Sequence, residues 1–292
     1  MKHGDTTPGG GITRRGFCRG AAVGTAGVFG VIGFGGTVTA ADEPPLVTTR
    51  GHFDVSWGSV VRDGSYDETE YGTNGRVPAL DTDTCPSDLT VFVHGFKTKA
   101  GEAGETVHEV DDALSTHGYD GTTIGFEWDS DQGLWNWWET TDIAAKNGPK
   151  LAAFTRDYTD VCDGVVRLIG YSLGSQVILS ALEKLDEWDW DGRVETVSLL
   201  GAAADTEAVS TGGNYGSVIE RRAGRFDNYW NSGDSILNWA YGLAEWSDAL
   251  GSNGIDGPAP SNYEDHNVDY VSGHFEYYDA EDGCMDEVVD NW

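Results

Sequence analysis

From residue 88 onward, short apolar runs alternate with longer segments in which apolar residues recur every three or four positions. Leu89-Thr90-Val91-Phe92-Val93 predicts a buried strand, and Glu105 to Thr116 a helix with Val107, Val110 and Leu114 on one side. Thr122 to Phe126 predicts a second strand, residues 141–160 a helix, and Val165-Val166-Arg167-Leu168-Ile169 a third strand. Val177, Ile178, Ala181, Leu182 and Leu185 then mark an amphipathic helix. Val194 to Leu200, Arg225 to Trp230 and Val268 to Val271 complete the series as three further strands. This alternation predicts an α/β fold, with a mostly parallel central sheet and helices on both faces.

Two regions break the rhythm. Residues 42–87 are polar and turn-rich, with strand-like stretches near Leu46–Thr49 and His52–Trp57. They read as an N-terminal extension, or as edge strands, joined to a domain of residues 88–292. The second break, Asp129 to Thr141, contains Leu134-Trp135-Asn136-Trp137-Trp138. Its tryptophans either line an apolar substrate pocket, cap one, or pack a loop against the domain.

The amino terminus has a separate character. Thr13-Arg14-Arg15-Gly16-Phe17 precedes an uncharged, weakly apolar stretch from Gly20 to Ala41, and Val38-Thr39-Ala40 has the small-residue spacing of a cleavage site. Residues 1–41 therefore read as a twin-arginine export signal, and membrane contact is expected only if that segment is retained as an anchor. Composition fits an unusual exterior. Asp and Glu number 49 against 18 Lys and Arg, a net charge of −31. The acidic residues are spread along the whole chain, which resembles proteins of extreme halophiles, whose self-repulsion is screened in concentrated salt. Nucleic acid is excluded as a partner by the same charge. Beyond the signal, Cys85, Cys162 and Cys284 allow one disulfide, with no pairing indicated. Oligomeric state is not legible.

Candidate chemistry centres on Gly170-Tyr171-Ser172-Leu173-Gly174, placed between a predicted strand and a predicted helix. In a chain with 41 glycines the five-residue pattern alone says little, but its context does. A tight strand-to-helix turn flanked by glycines lifts a serine hydroxyl above the sheet edge, at a helix amino end. An oxyanion hole needs two backbone N–H groups. Leu173 supplies one by following the serine. Phe96 supplies the other, from His94-Gly95-Phe96 directly behind the first buried strand, where Gly95 permits close approach. His94 itself organises this loop.

Together these motifs resemble the α/β-hydrolase superfamily, in its esterase and lipase branch, over roughly residues 88–280. The resemblance implies a Ser–acid–His triad in that chain order, at the ends of later strands. Only His266 and His274 lie beyond the serine. His274 follows the last predicted strand in a glycine-containing loop, whereas His266 precedes it, so His274 is the expected base. Asp234, in the turn after Arg225–Trp230, is the expected acid, and Asp205, past the preceding strand, is the alternative. Either aspartate could equally be a helix N-cap. The expected reaction is hydrolysis of a small-molecule or lipid ester through an acyl-enzyme, requiring no metal or organic cofactor. Thioesterase or peptidase activity, or a non-catalytic exported binding protein, are the alternatives on the same scaffold. The acidic runs Asp81-Thr82-Asp83 and Asp279 to Asp282 match no calcium-binding loop.

Overall fold

A computed structural model describes residues 44–242 and 248–292. The predicted export signal, residues 1–41, lies outside them. Eight strands form one sheet: β1 (Leu46–Thr48), β4 (Gly72–Asn74), β5 (Asp88–Val93), β6 (Thr122–Glu127), β7 (Val165–Tyr171), β8 (Val194–Leu200), β9 (Ala223–Trp230) and β10 (Tyr263–Asn267). Their spatial order is β10-β9-β8-β7-β5-β6-β1-β4, parallel throughout except for β4 against β1. A separate hairpin pairs β2 (Phe53–Ser56) with β3 (Ser59–Arg62). The helices are α1 (Glu102–Thr116), α2 (Trp137–Thr159), α3 (Gly174–Glu187), α4 (Gly216–Arg222), α5 (Ser235–Gly242), α6 (Leu250–Asn253) and α7 (Met285–Asp290). This is the α/β-hydrolase fold.

The strand period of two divides the core in half. Val91 and Val93 join Leu168, Val177, Ile178 and Phe154 on the side of α2 and α3. Phe92, between them, joins Val107, Val110, Leu114, Ile169 and Tyr229 on the side of α1 and α7. Buried on both faces, the central strands are mostly apolar on both, and this is why their apolar runs are nearly continuous in the sequence.

One sequence expectation needs correction. The last strand is Tyr263–Asn267, and Val268 to Val271 form the turn after it. Tyr263-Glu264-Asp265-His266-Asn267 has no apolar alternation because β10 is the edge strand and one side faces water. Val268 and Val271 are buried from that turn, so their hydrophobicity mimics a strand. His266 accordingly lies within β10 and not before it. The polar region 42–87, read as an extension or as edge strands, supplies the two strands at the other end of the sheet: β1 pairs in parallel with β6, and β4 closes that edge antiparallel to β1.

Cys85, at the end of that region, and Cys162, beyond α2, form a disulfide across a separation of 77 residues. Cys284 is a buried free thiol whose pKa burial drives upward. Among the described residues, no helix is long and apolar enough to cross a membrane.

Candidate active site

The predicted nucleophile sits at the turn from β7 into α3. Ser172 adopts φ +52°, in the left-handed region that L residues rarely occupy, at a cost of about 1–2 kcal/mol. Neighbouring backbone holds it there. Ser172 N–H donates to Leu200 O at 2.9 Å, and its carbonyl accepts from Ser175 N–H and Ala203 N–H, both at 3.1 Å. The glycines around it are demanded by crowding. A Cβ on Gly170 would stand 2.8 Å from Ile178 Cδ1, and one on Gly174 would collide with the carbonyls of Val93 and His94.

Asp234 and His274 come to this serine from the ends of β9 and β10. His274 Nδ1 lies 2.6 Å from Asp234 Oδ2, and its Nε2 lies 2.9 Å from Ser172 Oγ. Since a carboxylate only accepts, Nδ1 donates to Asp234 and leaves Nε2 free to accept the serine proton. All three side chains are buried. The other oxygen of Asp234 caps α5: Oδ1 accepts N–H from Ile236 at 3.1 Å and Leu237 at 3.0 Å. The N-cap and the acid of the relay are thus one carboxylate. Asp205 is exposed instead, and its Oδ1 accepts Glu207 N–H at 3.0 Å in a local turn; it is not part of the constellation. His266 is equally distant in role, with Nε2 donating to Asp227 Oδ1 at 2.8 Å in the edge strand.

The loop after β5 is built around His94. Trp128 N–H donates to His94 Nε2 at 3.1 Å, so the ring proton resides on Nδ1 and is directed to Gly95 O at 3.0 Å. The two rings stack at 5.6 Å, and Trp128 Nε1–H returns to His94 O at 2.9 Å. Burial lowers the His94 pKa to about 3, which keeps the ring neutral and this pattern intact. Thr98 Oγ1–H adds a second bond to Gly95 O at 3.3 Å. In a trans peptide the N–H points opposite to its own carbonyl. Anchoring Gly95 O therefore directs Phe96 N–H away from His94. Gly95 brings this peptide against the nucleophile, since an added Cβ would lie 2.9 Å from Ser172 Cβ. Among the described residues, neither Phe96 N–H nor Leu173 N–H has a protein acceptor. Both stay available to a developing oxyanion.

Two tyrosines complete the site without any sequence signal for the role. Tyr171 Oη–H donates to His274 O at 2.9 Å and its ring lies 5.2 Å from the imidazole. Tyr277, fully buried, directs its hydroxyl to Asp234 Oδ2 at 3.4 Å and Gly251 O at 3.3 Å. The tryptophan segment divides. Trp137 packs edge-on against Phe96 at 5.3 Å, while Trp135 and Trp138 project into water. A cavity of about 520 Å³ between the hairpin, α2 and α3 is lined by groups of both charges and contains no residue of the relay.

Asp227, Glu264 and His266 are close enough together to ligate an ion. Arg225 already occupies that position, donating to Asp227 at 2.7 Å and Glu264 at 2.9 Å. The cluster is a satisfied ion-pair network.

Fold and site together define the class: an α/β-hydrolase scaffold carrying a hydrogen-bonded Ser–His–Asp relay. A family model described as "Protein of unknown function (DUF726)" matches residues 132–289, more than half of the chain. The protein belongs to that family. A 117-residue stretch is 34% identical to the transmembrane and coiled-coil domain-containing protein STS1 of Oryza sativa subsp. japonica, spanning 39% of this chain and 17% of that protein. Similar solved structures include one from work on the metagenome-derived lipolytic enzymes LipS and LipT, at 14% identity, covering 70% of this chain and 91% of that one with a TM-score of 0.41. An α/β serine hydrolase homologue from Coxiella burnetii is also 14% identical, over 70% of this chain and 85% of that one, with a TM-score of 0.38. An α/β serine hydrolase without a lid from Xanthomonas campestris is 15% identical, over 74% and 86% of the two chains, with a TM-score of 0.39.

Proposed function

We propose that this protein is a serine hydrolase that cleaves carboxylic esters through an acyl-enzyme. The observation that carries this reading is the continuous relay from Ser172 Oγ through His274 to Asp234, at 2.9 and 2.6 Å. Ser172 attacks the ester carbonyl as its proton passes to His274 Nε2. Asp234 holds the imidazole in the required tautomer and stabilises the imidazolium. Charge on the carbonyl oxygen develops between Phe96 N–H and Leu173 N–H, where each donor is worth about 10²–10³ in kcat. His274 returns the proton to the departing alcohol, then activates water to release the acid.

The same reading places the protein outside the cytoplasm, exported by the twin-arginine segment at residues 1–41. The Cys85–Cys162 disulfide supports an oxidising destination, and the net charge of −31 supports a saline one.

Labelling with a fluorophosphonate tests the proposal, in low and molar salt. Wild type should be labelled with one equivalent, and Ser172→Ala with none. Absence of label from wild type, or equal labelling of the variant, rejects the nucleophile. A panel of soluble esters, thioesters and peptides then fixes the acyl donor and leaving-group class, with esters expected to turn over fastest.

A further inference from the structure

Both side-chain bonds of His274 go to the groups it works with, Asp234 at 2.6 Å and Ser172 at 2.9 Å. Neither decides where its main chain stands. The loop that carries it is pinned at its two ends. Asn231 Nδ2–H donates to Val271 O at 2.6 Å, and Cys284 N–H donates to Tyr277 O at 3.0 Å. Between those anchors, among the described residues, the main chain of 272–276 makes one hydrogen bond to a residue outside the loop. It is the bond from Tyr171 Oη–H to His274 O, at 2.9 Å.

Packing holds that hydroxyl in place. Tyr171 is the last residue of β7, and its ring is buried. Gly95 closes on the ring, since an added Cβ would meet Cδ1 and Cε1 at 3.2 Å. Tyr278 stands edge-on to it at 5.1 Å, and the imidazole lies at 5.2 Å. Burial pushes the phenol well above its ordinary pKa, so Oη keeps its proton and donates. The backbone beneath is fixed as well: Tyr171 pairs with Leu200 of β8, and Ser172 N–H donates to Leu200 O. The residue before the nucleophile thus grips the main chain of the base, 103 positions further on.

We propose that Tyr171 is a positioning residue for His274: its Oη–H ties the main chain of the base to the turn that carries the nucleophile, and so fixes Nε2 against Ser172 Oγ. Its effect on turnover rests on the ester-hydrolase reading; its hold on the imidazole does not. Precision is what such a bond supplies, since a displacement of about 1 Å between reacting groups can cost about 10² in rate.

The test compares the full chain with Tyr171→Phe, which keeps the packed ring and deletes the hydroxyl. Tyr158→Phe is the control. Tyr158 Oη–H also donates to a main-chain carbonyl, Pro86 O at 3.1 Å, but ahead of β5 and so at the opposite edge of the parallel sheet from Ser172. Both variants should melt about 2–4 °C below wild type. Hydrogen exchange of the His274 Nδ1–H, followed through its low-field proton resonance, reads the imidazole directly. Exchange should be about fivefold faster in Tyr171→Phe and unchanged in Tyr158→Phe. On a short-chain aryl ester, Tyr171→Phe should lower kcat by about 10–10²-fold, with KM within about twofold of wild type. Tyr158→Phe should leave both constants unchanged. Exchange at the wild-type rate in Tyr171→Phe overturns the assignment, and so does equal acceleration by Tyr158→Phe. Unchanged kcat in an active wild-type background overturns it too. Should Tyr171→Phe not fold, Tyr171→4-aminophenylalanine takes its place. Its N–H is a weaker donor than the phenol, so exchange should still quicken, and exchange at the wild-type rate again overturns the assignment. If wild type takes no fluorophosphonate while exchange still depends on Tyr171, the positioning stands and the hydrolase reading falls.

Discussion

One carboxylate serves two elements, and two substitutions separate its tasks. Asp234 Oδ2 holds His274 while Oδ1 caps α5 through Ile236 N–H and Leu237 N–H. Asp234→Asn can keep its carbonyl toward the helix, and asparagine caps as well as aspartate, so stability should change by only a few tenths of a kcal/mol, roughly. Its amide NH₂ then faces His274 Nδ1 and donates to it. The imidazole proton is driven to Nε2, the atom that must accept from Ser172. Turnover should fall by about 10⁴, equivalent to roughly 5.5 kcal/mol of barrier. Asp234→Ala loses both tasks. It removes the cap, about 1 kcal/mol, and leaves the buried imidazole N–H unpaired, about 1–3 kcal/mol more. A total near 3 kcal/mol corresponds to a melting temperature lower by about 6–12 °C for a chain of this size. The assay is hydrolysis of a short-chain aryl ester per mole of folded protein, alongside thermal melts monitored by circular dichroism. Retention by Asp234→Asn of more than about a tenth of wild-type activity refutes the acid assignment. Coincident melts for the Asn and Ala variants refute the cap.

Three other outcomes follow from the geometry. Gly95→Ala places a methyl 2.9 Å from Ser172 Cβ; steady-state kinetics should show kcat reduced by about 10²–10³, as for loss of one oxyanion donor, and near-normal kcat would dissociate this loop from the hole. Cys85 and Cys162 close a loop of 77 residues, so Cys85→Ser with Cys162→Ser should lose about 4.5 kcal/mol on a chain-entropy basis, read as a lower urea midpoint that reductant does not lower further. His94, with its folded pKa near 3 against an ordinary 6.5, contributes stability that is complete above pH 6.5 and lost as pH falls toward 3. Urea titrations should show a loss approaching about 1.4 kcal/mol per pH unit from this residue within that window, and His94→Gln should flatten the slope there.

How much of this was legible in the sequence depends on whether burial is two-sided. Central strands such as β5 announce themselves, because both faces are buried and Leu89, Val91, Phe92 and Val93 fill them. Edge strand β10 does not, and Val268 and Val271 misplace it by a few residues because a buried turn also demands them. The serine turn was legible because glycine at positions 170 and 174 has a steric cause visible in its spacing. Asp234 was legible only as a choice between N-cap and acid, a choice that the structure dissolves. Tyr171 and Tyr277 left no trace, since their hydroxyls act on groups about a hundred and about forty residues away in sequence. The insertion of β1 beside β6 is likewise a pairing between distant segments, and a strand of three residues carries too short a pattern to specify its neighbour.

The relay joins residues 102 positions apart, and its last partner arrives from the turn beyond the edge strand. Loop-closure entropy must be met before so distant a contact forms. During refolding, secondary structure and most of the sheet can therefore be in place while Ser172 still lacks its contact with His274. On the hydrolase reading proposed above, recovered turnover would time the docking of residues 268–277, a clock for the final step of assembly.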